Sequence, residues 1–156
     1  RKGTRHVLRL IRELLYCQPI GRGTDLSAAL DHLNRTSSRR TVVFVISDFQ
    51  DRGFDSSLRI TRRKHDVIPV QITDPREWEL PNVGLIRLRD SESGELITVD
   101  TSSRRQRFEY REMRRAEQDR LESMFRRLKL QPIKIETGVD YVDPLKRFFH
   151  MRETHR

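Results

Sequence analysis

The sequence predicts an α/β fold built on a central, mostly parallel sheet with an added β-hairpin, and three observations carry that expectation. Val42-Val-Phe-Val-Ile-Ser47 is a continuous β-branched and aromatic run, the pattern of a strand covered on both faces in a parallel sheet. A second apolar run, Val67 to Ile72, follows a helix-like stretch at about 55 to 64. Between residues 83 and 100 the pattern turns to alternation. Ile86 and Leu88 interleave with arginines, and Leu96 to Val99 answer them after Ser91-Glu-Ser-Gly94, as in two antiparallel strands.

The remaining elements follow from spacing and capping. Val7, Leu8, Ile11, Leu14 and Leu15 recur at helical spacing, so residues of about 4 to 17 are expected to form a helix packed on the sheet. Pro19 and Gly21 end it. Thr24 is placed as N-cap of a second helix, with Asp25 in the first turn where the dipole favours a carboxylate. Leu26, Ala29, Leu30 and Leu33 give that helix its buried face. Strand 41 to 47 belongs at the centre of an intact sheet. Pro69 argues for an edge or a bulge in strand 67 to 72, because proline donates no ladder hydrogen bond. Arg104 to Leu128 is an amphipathic helix with Leu121, Met124, Phe125 and Leu128 on one face and Glu122 and Arg126 as an i,i+4 pair. A short strand at about 132 to 136 and a last helix, N-capped by Asp143 with Pro144 at its first position, complete the chain.

The 156 residues suit one domain, residues 1–156, with a core that is small relative to its surface, since apolar and charged residues are each 35%. No apolar run approaches the roughly 18 residues of a membrane helix and no signal peptide is visible, so the expected location is cytoplasmic. A lone Cys17 cannot form an internal disulfide, and its place on an apolar helix face predicts a buried, inert thiol. The net charge of +9 raises nucleic-acid binding as a rival function. Yet the basic residues are dispersed and interleaved with acidic ones, which predicts a salt-bridged surface instead. The five histidines, His6, His32, His65, His150 and His155, lack the paired spacing of a zinc site. Nothing resembles a nucleophile, base and orienter set, so no enzymatic role is expected.

Two segments are candidate sites. Gly21-Arg-Gly-Thr-Asp-Leu26 reads as a glycine turn opening a helix, and Asp48 as a carboxylate ending a buried strand. Ligands of open α/β sheets gather beyond the carboxyl ends of the strands, so Thr24 and Asp48 are expected close together at one edge of the sheet. The plainer alternatives are a helix cap for Thr24 and a loop cap over residues 49 to 51 for Asp48. A phosphate cradle at Gly21-Arg-Gly23 lacks the Lys-Ser/Thr of a P-loop. The second segment, Asp74-Pro-Arg-Glu-Trp-Glu-Leu-Pro81, leaves its strand on the same edge. Its candidate partner-binding residues are Asp74, Glu77, Trp78 and Glu79, because tryptophan is enriched in interface hot spots. The alternative is a rigid loop whose Trp78 covers a gap in the core.

These motifs resemble a von Willebrand factor A domain, and more closely the bacterial family called domain of unknown function 58, whose members resemble partners of MoxR-type ATPases. The resemblance rests on the Gly-x-Gly-Thr-Asp-Leu loop, the strand ending Ile46-Ser-Asp-Phe49, His65-Asp-Val-Ile-Pro-Val70, Asp74-Pro75, Val99-Asp-Thr101 and Pro144-Leu-Lys-Arg-Phe-Phe149. It implies a partial, Rossmann-like three-layer fold, and an adaptor of an AAA ATPase as the function. The complete family-type site implies a magnesium or manganese ion in a metal-ion-dependent adhesion site, with Thr24 and Asp48 matching two of its elements. The Asp-x-Ser-x-Ser that supplies the main ligands has no counterpart here, because Glu13 is the only carboxylate before Thr24. The chain is therefore expected to be the C-terminal part of such a domain, lacking its N-terminal strand and binding no ion. Strand 41 to 47 would then self-associate through an exposed edge.

Overall fold

The computed structural model describes residues 3–18, 23–89 and 96–154. Along the chain lie α1 (Thr4–Tyr16), α2 (Leu26–Thr36), β1 (Val42–Ser47), α3 (Asp55–Lys64), β2 (Asp66–Thr73), a 3-10 turn (Pro75–Glu77), β3 (Leu85–Arg89), β4 (Leu96–Asp100), α4 (Arg104–Arg127), β5 (Ile133–Glu136) and α5 (Val142–Thr154). Pro19, Gly21, Arg22, the segment Ser91 to Gly94 and His155 lie outside the described residues.

The sheet has the order β1-β2-β5 and is parallel throughout, running from Val42 beside Asp66 to Ser47 beside Gln71 and from Val70 beside Ile133 to Thr73 beside Glu136. Side chains alternate between its faces, so β2 sends Val67 one way and Ile68 and Val70 the other. The first group joins Leu30, Val45, Phe49, Phe54, Leu58, Leu121, Met124, Phe125 and Leu130, placing α2, α3 and α4 on one face. The second joins Ile133 and Phe148, placing α5 on the opposite face. Helices thus cover both sides of a mixed α/β fold, as a partial Rossmann-like arrangement requires.

The antiparallel pair β3 and β4, with Leu85 beside Asp100 and Arg89 beside Leu96, forms a separate two-stranded sheet. Thr101 closes its base. Its fully buried hydroxyl donates to Gly84 O at 2.6 Å and accepts from Val83 N at 3.1 Å.

Several expectations are corrected. Residues 4 to 16 are helical, but none of their side chains is buried, and Leu14 and Leu15 stay 78% and 76% exposed. Periodicity reports an apolar stripe and not what covers it, and among the described residues nothing does. Cys17 is accordingly exposed rather than buried. Pro69 sits in the central strand, not at an edge. It pairs in register with Val45, and β5 begins only at Val70, so no ladder to β5 exists at Pro69 for a missing donor to break. The last helix begins at Val142, whose N–H donates to Asp140 Oδ1 at 2.9 Å. Asp143 therefore lies inside the first turn, where its charge suits the dipole.

The contrast between α1 and the α4 core gives a direct expectation. Phe125→Ala should cost about 3–5 kcal/mol, as for other buried aromatics, whereas Leu14→Ala should change stability by no more than about 0.5 kcal/mol. Urea unfolding of the two variants beside the parent checks both; a large cost for Leu14→Ala would mean that α1 is packed.

Candidate functional site

β1 ends in a sharp turn. Phe49 adopts φ 59°, in the left-handed region that bulky residues seldom occupy and that costs on the order of 1–2 kcal/mol. Its ring is buried edge-on against Phe125, with centroids 5.3 Å apart, and tilted against Phe54 at 5.9 Å. Such aromatic pairs favour burial strongly enough to hold the strained turn. The residues around it fan outward from that anchor. Asp51 accepts from Leu26 N at 2.8 Å, pinning the first turn of α2 to this loop, and the Gln50 amide donates to Glu77 Oε2 at 3.1 Å.

Thr24 and Asp48 lie two and three residues from the two ends of that Asp51 to Leu26 bond, and both are exposed. The N-cap of α2 is Asp25 rather than Thr24. Its carboxylate accepts from Ala28 N at 2.7 Å, and Gly23 at φ 96° supplies the left-handed turn that leads into it. Asp48 Oδ1 accepts from Gln50 N at 3.2 Å and from Ser47 Oγ at 3.3 Å, so this carboxylate caps its own loop.

The implied metal can be tested against these donors. Two oxygens fall short of the near-octahedral set that magnesium requires. Among the described residues no three or more His, Cys, Asp or Glu side chains are grouped to hold an ion. Thr24 and Asp48 by themselves do not fit the group.

The second candidate segment converges on the first. Asp74 accepts from Arg76 N at 2.9 Å and caps the 3-10 turn. Glu77 is half-buried and takes Arg114 at 3.1 Å as well as Gln50, while Glu79 pairs with Arg111 at 3.0 Å. Arg114 also reaches Glu117 at 3.2 Å, and Glu117 takes Arg52 at 3.3 Å. The Tyr110 hydroxyl donates to Glu77 O at 3.0 Å, and burial pushes its pKa up, which keeps the donor proton in place. Helix α4 thus clamps both loops through residues that the sequence presents as a solvated charged face. The only advance signal was the three-residue spacing of Arg114 and Glu117.

Between loops and helix lies a cleft of about 480 Å³, with half-buried Trp78 in its wall and Gln71 and Gln118 behind. Its lining contains no histidine, cysteine or lysine. Its acids and arginines largely compensate one another, with Asp55 taking Arg127 at 3.2 Å. Buried Gln71 donates to Gln118 at 2.8 Å, Gln118 donates to Glu122 at 2.9 Å, and Lys134 of β5 donates to the same carboxylate at 2.6 Å. The Lys134 and Gln118 hydrogen bonds hold the Glu122 carboxyl below its usual pKa.

The molecule is thus an α/β module whose cleft opens at the carboxyl ends of parallel strands, the usual place for ligands in such sheets. The chain belongs to the family described as protein of unknown function DUF58, whose model matches residues 1–120. Uncharacterised proteins of Mycobacterium tuberculosis and Mycobacterium bovis are each 36% identical over 97 residues, covering 60% of this chain and 31% of theirs. An uncharacterised protein of Mycobacterium avium is 35% identical over 89 residues, covering 55% of this chain and 53% of its own. The chain therefore spans between about a third and a half of the length of these relatives. No solved structure matches it.

The Glu122 network gives a pH signature. A carboxylate with a depressed folded pKa adds stability that is fully present above its unfolded pKa and is lost as pH falls through the folded value. Lys134→Met should therefore destabilise the protein near neutrality, and the deficit should shrink on acidification through the glutamate range. Urea melts across that range check it; a deficit constant with pH would show that Lys134 acts through packing alone.

Proposed function

We propose that this chain is part of a non-catalytic protein-interaction module, an adaptor for a MoxR-type AAA ATPase, and that the cleft beyond β1 and β2 receives the partner. The observation that carries this is convergence: the loops after both strands and the flank of α4 meet around half-buried Trp78. Interface anchors are typically aromatic residues set in a polar rim. The resemblance to von Willebrand factor A domains supports the same edge as the docking edge. Because Thr24 and Asp48 do not complete an ion site, docking here rests on Trp78 and the surrounding ion pairs rather than on a metal-bridged carboxylate.

The nucleic-acid alternative is disfavoured by the way the basic charge is used. Arg52, Arg111, Arg114, Arg126, Arg127 and Arg152 each pair with a carboxylate. A phosphate-binding stripe would leave such arginines free on one face.

Trp78 is the only tryptophan, so its fluorescence reports the cleft without a label. Titration with a MoxR-type ATPase from the same organism should shift its emission, and Trp78→Ala should weaken binding at least tenfold by calorimetry, about 1.4 kcal/mol. No binding, or binding indifferent to Trp78→Ala, would sink the proposal. Tight association with duplex DNA at physiological salt would favour the alternative. Magnesium and manganese should bind weakly or not at all; a micromolar site abolished by Asp48→Ala would contradict the incomplete-site account.

A further inference from the structure

We infer that the cleft reads a short extended peptide of its partner, one large apolar side chain with an acidic side chain two residues away, an inference that rests on the cleft being the docking site. The charges of the lining show where such a segment is recognised. Asp48 spends its carboxylate on Gln50 N, and Asp51 accepts from Leu26 N at 2.8 Å and from Arg52 N at 2.6 Å. Arg127 is taken by Asp55, Arg52 by Glu117, and Arg114 by Glu77 and Glu117. Arg120 lines the same cleft, is exposed, and pairs with no carboxylate among the described residues. It is the charged group of the lining that remains for a partner, and the group that a guanidinium fits is a carboxylate.

Next to Arg120 the cleft is apolar. Phe54, Leu121 and Met124 belong both to its lining and to the core cluster. Any further charged side chain from the partner would have to displace an existing ion pair to be neutralised, whereas an apolar one displaces none. Methionine adapts to apolar groups of different shape, so Met124 suits a Leu, Met or Phe of the segment. The cleft volume of about 480 Å³ lies inside the range of about 300–1,000 Å³ that ligand sites span.

The spacing follows from α4. Arg120 and Met124 are four residues apart in one helix and share a face, where the Cβ atoms of such a pair lie about 5–6 Å apart. In an extended peptide, residues i and i+2 project to the same side about 6.6 Å apart. An apolar and an acidic residue separated by one position therefore match Met124 and Arg120, with the flexible arginine absorbing the difference. The indole N–H of Trp78, which donates to none of the described residues, remains to donate to a main-chain carbonyl of the segment.

Panning a phage-displayed library of random peptides on this chain, then titrating the enriched sequences as end-blocked synthetic peptides by Trp78 fluorescence, tests the inference. Enriched peptides should carry an apolar residue with Asp or Glu two positions away, and should compete with the MoxR-type ATPase. Replacing the acid by Lys, or the apolar residue by Ser, should weaken binding about tenfold or more while leaving the buried floor untouched. Arg120→Glu should weaken the parent peptide to the same degree and accept the Lys-substituted peptide instead, whereas Arg120→Lys should retain the parent peptide; circular dichroism checks that both variants fold. Enrichment of basic or purely apolar peptides, no peptide that shifts Trp78 emission, or binding indifferent to Arg120→Glu would each overturn the inference. Binding of the ATPase that falls in Trp78→Ala but not in Arg120→Glu would leave docking in the cleft standing and remove this recognition. Binding unchanged in both would remove the cleft as the docking site.

Discussion

The structure depends most on one strained residue. Phe49 holds a left-handed backbone conformation at the end of β1, and its ring is wedged between Phe54 and Phe125. The strain, on the order of 1–2 kcal/mol, is smaller than the 3–5 kcal/mol at stake in a buried aromatic, so the ring determines where the turn sits. Because the turn is there, Gln50 reaches the loop after β2 and Asp51 reaches the start of α2. The edge of the sheet is thus organised from inside the core.

Helix α4 supplies the second half of that organisation. Its inner face gives Leu121, Met124 and Phe125 to the core, while its flank sends Tyr110, Arg111 and Arg114 to the loop after β2. Exposed ion pairs contribute little individually, with typical values up to about 1 kcal/mol. Here Arg114 is only 16% exposed and bridges two carboxylates, so the pairs act as a network that positions loops more than as a reservoir of stability.

Much of this was legible in the sequence because the informative residues are neighbours in the chain. The runs at 42 to 47 and 67 to 72, the alternation that makes β3 and β4, and the apolar stripe of α4 are all local patterns, and each is the expected strand or helix, although β1 is covered on one face only, with Val42, Phe44 and Ile46 largely exposed on the other. The carboxyl edge of β1 and β2 was legible for the same reason, since Asp48 and the Asp74 to Glu79 segment directly follow strands. What covers a face is not a local property. The stripe of α1 therefore reads as a packed one, Cys17 as a buried thiol, and Pro69 as an edge or bulge residue, and the structure shows none of the three. The partners of Glu77 and Glu79 are equally non-local, because Arg114 and Arg111, which neutralise them, lie more than thirty residues further along the chain. Thr24 lost the cap to its neighbour Asp25, a choice between two good capping residues that spacing does not resolve.

The central claim is that the loops after β1 and β2 form one unit, joined at Glu77 and held by Arg114. Native-state hydrogen exchange of Arg114→Met beside the parent tests it most directly. The account predicts that amides of residues 50 to 53 and of 76 to 79 lose protection together, although only the second group faces the altered side chain through its own carboxylate. Loss confined to residues 76 to 79, with 50 to 53 unchanged, would contradict it and leave two independent loops at the edge of the sheet.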